Sequence, residues 1–163
     1  MNRTGLTAMQ LALALLAGGA ALLGLVFGFT SFGTVPLLTL YFALGAASLV
    51  RLALPFSLWF DGALMLFGAV ALILALPEEG AMPAHFWWAL VASWAFAWLF
   101  VERLSAAIRQ GQLPETGTGL VIPVIFGLAL LVAWEVITRG ANVPPVLLPP
   151  PSAIWARMTA EVP

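Results

Sequence analysis

Glu135 and Arg139 stand four residues apart near the end of a long apolar run. On a helix that spacing brings the two side chains together. An acid in such a run marks either an ion or proton path or a paired structural charge. The adjacent arginine and the interfacial depth point to the pair, and Trp134 beside it suits an interfacial anchor. His85 is the single histidine and sits in PAHFWWALVASWAFAWLF. A neutral imidazole there could ligate the metal of a chlorin or haem, with Trp88 as a ring neighbour. The alternative is an interfacial polar residue among belt aromatics. Asp61 lies close in sequence to Arg51, and either pairs with it or snorkels.

Much chemistry is excluded. The chain has no cysteine and no lysine. That removes thiolate metal sites, disulfides and a lysine-bearing phosphate loop. One histidine cannot hold zinc with a second, and no Ser/His/acid set shares one depth. No enzyme, no metal and no resident cofactor is expected; a bound lipid or pigment is the most the aromatic segment suggests. Net charge is −1, which argues against nucleic acid as a partner.

The elements that carry these residues must be membrane helices. From Thr4 to Val50 there is no charged side chain, enough for two spans and a turn. Overall, 63% of residues are hydrophobic and 8% charged, too little polar surface to cover a soluble globule. In lipid only helices and closed barrels satisfy their own backbones, and these continuous runs exceed barrel strands. The expectation is an all-α membrane bundle of about five spans: 7–29, 35–54, 58–76, 83–101 and 119–137. The turn after the first holds Thr30, Ser31, Gly33 and Pro36. The third ends at Pro77, Glu78, Glu79 and Gly80. The fourth continues as helix to Gln110, with Gly111 as its stop, and Arg139 and Gly140 close the fifth. The first run extends to Phe29, longer than a signal h-region, so it reads as an uncleaved anchor.

Within these helices, Gly24 and Gly28 form a small-xxx-small pair, extended by Ala17, Gly18 and Ala21, along which another helix can approach closely. Trp87, Trp94 and Trp98 share one face. The last two lie deep enough to pack against lipid, protein or a pigment. Ser48 and Ser93 are nearly the only polar side chains at mid-membrane. With five spans, Arg3, Arg51, Arg103 and Arg109 share one side, and Arg139 and Arg157 the other. The excess places the N-terminus in the cytoplasm and the C-terminal tail in the periplasm of a bacterial inner membrane.

The tail is distinctive. Val143 to Pro151 holds five prolines, which forbid helix. Ser152 then looks like the cap of a short amphipathic helix with Ile154, Trp155, Met158 and Val162 on one stripe, suited to the membrane surface. The residues from about 119 to 158 resemble the start of permease subunits of bacterial ABC importers, in the nitrate/sulfonate/taurine branch. The likeness rests on Trp134, Glu135 and Arg139, then Pro144, Pro145, Leu147, Leu148, Pro149, Pro151, Ser152 and Trp155. It implies a four-span module over 1–118 preceding the opening of a permease over 119–163. A core permease, an ATPase subunit and a periplasmic binding protein would be its partners, because the translocation core and coupling loop are not in this sequence. The alternative is an accessory subunit packed, among lipids, against other subunits of a photosynthetic reaction centre–light-harvesting or respiratory complex.

Overall fold

The computed structural model describes residues 7–28, 35–54, 57–77, 80–113 and 118–160. They form six helices: α1 Ala8–Gly28, α2 Val35–Ala53, α3 Leu58–Ala75, α4 Phe86–Arg109, α5 Thr118–Gly140 and α6 Pro151–Thr159. No strand occurs among the described residues. The chain is a helical membrane bundle. Four helices, α1, α3, α4 and α5, are long and apolar enough to cross a bilayer. The expected second span forms a helix, but its described apolar stretch is the shorter Leu37–Arg51. It ends on an arginine that turns into the protein.

Local signals set most helix ends. Thr7 and Gln10 cap α1 reciprocally, each backbone N–H donating to the other's side chain at 3.2 Å. The Ser57 hydroxyl accepts from the Phe60 N–H at the start of α3. Gly111 stops α4 with φ +69°. The Gln112 N–H reaches the Ala107 carbonyl, and the Gly111 N–H reaches that of Ile108. These two bonds make a Schellman turn. The end of α5 differs from expectation. Its left-handed residue is Asn142 (φ 52°), with the Val143 N–H on the Thr138 carbonyl and the Asn142 N–H on that of Arg139. Asparagine tolerates this conformation, whereas Gly140 stays helical. Gly140 has another role, since a Cβ there would stand 3.3 Å from Phe86 and Trp87 of α4. The Thr30–Gly33 turn, Glu78, Glu79 and Val162 lie outside the described residues.

Small residues set how closely the helices pack. The pairs Gly24–Tyr41, Ala21–Gly45 and Gly18–Ser48 run antiparallel down the α1–α2 seam. Gly62–Phe100 and Gly68–Ser93 do the same for α3 and α4. The Ser48 and Ser93 hydroxyls are buried there. Tyr41, fully buried, donates its hydroxyl to the His85 carbonyl at 2.5 Å and so ties α2 to the start of α4. The core runs through α1 to α4, from Leu13 and Ala17 to Leu40, Leu44, Phe96 and Leu99.

The fifth helix stands apart. Only 11% of its span is buried, against 33–44% for α1, α3 and α4. Its final turns are held, with Glu135, Val136, Thr138 and Gly140 buried, and the Met82 N–H donates to the Gly140 carbonyl at 2.7 Å. Its first half touches α4 through an edge contact of Phe126 on Trp94 at 6.4 Å.

Candidate functional site

Three features could do something, one at each end of the bundle and one between. At the end that holds the start of α1, Asp61 of α3 is fully buried. One carboxylate oxygen pairs with the Arg51 guanidinium from α2 and the other with Arg103 from α4. Arg103 also donates to the Ser57 carbonyl at 3.5 Å. A carboxylate in a low-dielectric interior needs this compensation. The cluster therefore pins three helices at one level. The pairing of Asp61 with Arg51 follows the sequence reading, which had no signal for Arg103, 42 residues away.

At the opposite end, Glu135 joins α5 to the tail. Its carboxylate accepts from the Ser152 backbone N–H at 2.9 Å and the Ser152 hydroxyl at 2.6 Å, while Arg139 lies at 3.3 Å. Ser152 is thus not the cap of α6. Pro150 holds that position without a side-chain bond, and Pro151 opens the helix. Neither proline has an N–H to satisfy, so Ser152 presents the first free amide. Glu135 meets it from another helix, where a negative charge also suits the positive helix start. Replacing Glu135 with alanine should release α6 and speed tryptic cleavage at Arg157 about tenfold, the equivalent of one charge-assisted bond. Ser152→Ala, which keeps the backbone bond, should have a smaller effect. Equal cleavage of wild type and Glu135→Ala would show that this clasp does not hold the tail.

Between the two ends lie apolar clefts flanking α5. One, about 420 Å³, opens among α3, α4 and α5 and is lined by residues such as Met65, Ala69, Leu90, Ala97 and Leu128. The other, about 320 Å³, lies between α4 and α5 beside Trp98, Val101 and Phe126. Trp94, Ala97 and Ala129 border both. Their linings suit hydrocarbon.

His85 is buried just before α4, and its carbonyl carries the Tyr41 bond. It lines neither cleft. Gly24 and Gly28 are both buried, and the Gly24 side of the groove is filled within the chain by the Tyr41 ring. Trp87 and Trp88 are half-buried, and Trp98 faces outward. No group of three His, Cys, Asp or Glu that could hold a metal occurs among the described residues. No family model matches the chain, and neither does any curated protein or solved structure.

Proposed function

We propose that the chain is the N-terminal membrane module of an ABC-type importer permease in a bacterial inner membrane. In this reading it takes no part in catalysis, and its N-terminus is cytoplasmic. The observation that carries the reading is the Glu135–Ser152 clasp. Both residues belong to the pattern that resembles permease openings, and they lie 17 residues apart in sequence. Their direct bonding gives that pattern a physical reason: the acid at the end of one helix caps the next across a proline-rich link. Helices α1 to α4 form the packed body, and α5 with α6 leads into the permease portion. A core permease, an ATPase subunit and a periplasmic binding protein are the partners, and the solute is a small anion or organic molecule.

A second reading, an accessory subunit of a larger membrane complex, is favoured by the exposure of α5. Leu120, Val124, Phe126 and Leu128 are all more than half exposed. A helix apolar on every side belongs in lipid or against other membrane helices. Purification in mild detergent followed by mass spectrometry separates the two. Co-isolation of an ATPase and a binding protein is expected. Pigment- or quinone-handling subunits would replace the first reading with the second, and a chain that elutes alone would count against both.

A further inference from the structure

The tail leaves the bundle as an apolar surface. The Leu147 and Leu148 N–H groups both donate to the Pro144 carbonyl, at 2.9 and 3.2 Å, which closes one tight turn. That turn presents Val146, 95% exposed, and Leu147. In the first turn of α6, Pro151, Ala153 and Ile154 are half-buried, and from Trp155 to Ala160 every residue is exposed. Trp155 and Met158 share one stripe at 68% and 74% exposure, with Arg157 on the opposite side. Nine residues are too few for a helix to be stable in water without a surface to lie on. The depth of this surface is set by its two attachments, Val143 on Thr138 at one end of the link and Ser152 on Glu135 at the other. With 23 residues, α5 is about 35 Å long against a hydrocarbon core of about 30 Å. Glu135 lies about 7 Å along the axis from the last residue, Gly140. The clasp therefore draws the start of α6 down to the edge of the hydrocarbon. Polar groups at this level are closed off, as hydrocarbon demands. The Ser152 hydroxyl donates to Glu135, and the Thr159 hydroxyl, on the Trp155 stripe, donates to the Trp155 carbonyl at 3.0 Å.

We propose that the Val146–Leu147 turn and the Trp155–Met158 stripe form an anchor in the lipid interface of the leaflet at the Glu135 end. The partner of this surface is lipid, at the boundary between headgroups and acyl chains. There α6 lies along the membrane plane with its apolar stripe down, as amphipathic helices do. Trp155 takes the headgroup level that its ring prefers, and Arg157 turns toward water. The apolar side chains continue the lipid-facing surface of α5, where Ile137 is exposed at the same level. So short a helix holds a bilayer weakly by itself. The clasp keeps it there, which makes its insertion an intramolecular step. Such an anchor needs only the membrane location of the bundle, not the permease reading.

The chain has no cysteine, so a nitroxide label can be placed at one site at a time. Leu147→Cys, Trp155→Cys, Arg157→Cys and Met158→Cys all fall on exposed side chains and leave the packed bundle alone. The full chain is placed in vesicles of phosphatidylethanolamine and phosphatidylglycerol. Electron paramagnetic resonance then compares collisions of each label with oxygen, which concentrates in lipid, and with a nickel chelate, which stays in water. Labels at Leu147, Trp155 and Met158 should meet mainly oxygen, and the label at Arg157 mainly the chelate. Adding Glu135→Ala should shift the Trp155 and Met158 labels toward the chelate. Chelate contact at all four sites would overturn the proposal by placing the tail in water. Shielding of the Trp155 and Met158 labels from both reagents would also overturn it, assigning the stripe to a protein contact. So would unchanged contacts in Glu135→Ala, because the depth would then owe nothing to the clasp. If Glu135→Ala loses its helical signal, the four labels on the otherwise native chain decide the matter.

Discussion

Replacing Asp61 with alanine should destabilise the bundle by about 3–5 kcal/mol, the range for removing one partner of a buried ion pair. The size follows from what remains. Arg51 is buried to 1% exposure, and both it and Arg103 would lose the Asp61 carboxylate that they share. At this depth neither guanidinium can fully recover its hydration. The effect should appear in detergent as a lower melting temperature followed by far-UV circular dichroism. A second variant separates charge from packing. Arg51→Met, Asp61→Leu and Arg103→Met together remove all three of these charges at once, and should restore most of the lost stability, because apolar replacement of a whole buried cluster is often neutral or better. If Asp61→Ala melts like wild type, the cluster is not pinning α2, α3 and α4. If the triple variant is as unstable as Asp61→Ala, shape and not charge is the property that matters.

Gly24→Ala should have the next largest effect, although it adds a single methyl group. A Cβ at Gly24 would collide with the Tyr41 ring, far inside contact distance. The ring cannot swing away cheaply, since it is fully buried and its hydroxyl is anchored to the His85 carbonyl. Overpacking of this kind costs about 1–3 kcal/mol, and the anchored ring places this site at the upper end. The control lies five residues earlier. Gly19 is exposed on the same helix, and a Cβ there meets nothing within 4 Å. Gly19→Ala should therefore be neutral or stabilising by up to about 1 kcal/mol, the intrinsic helix preference of alanine. Combining Gly24→Ala with Tyr41→Ala should recover part of the loss, because the colliding atoms are gone. Equal melting temperatures for Gly24→Ala and Gly19→Ala would rule out the Gly24–Tyr41 contact.

These two results bear on function through rigidity. The Asp61 cluster fixes one end of the α2–α3–α4 group. The Tyr41 bond and the Gly24 seam fix its other half. The first half of α5 is much less buried than the other spans, and α6 is joined to the bundle through the Glu135 clasp. In the permease reading these are the segments next to the rest of the transporter.

The sequence alone determined the helices and their approximate limits. In hydrocarbon every backbone amide must find its partner locally, so apolar runs of span length become helices whatever surrounds them. End signals such as Gly111 act over a single turn and are legible for the same reason. Glu135 with Arg139 is a four-residue spacing, equally local. The tertiary structure decided which faces meet. A soluble helix shows its inner face by being apolar there and polar elsewhere, but α1 and α5 are apolar all round, so nothing in their pattern says that α1 is packed and α5 is not. Arg103 on Asp61 and Ser152 on Glu135 join residues that no helical period relates. The Gly24–Gly28 pattern announced a close approach, and only the packed bundle supplied its partner, the chain's own Tyr41. The second helix shows the same division. Its sequence makes it helical, while the buried Asp61 decides where Arg51 goes, because an unpaired charge at that level has no better solvent.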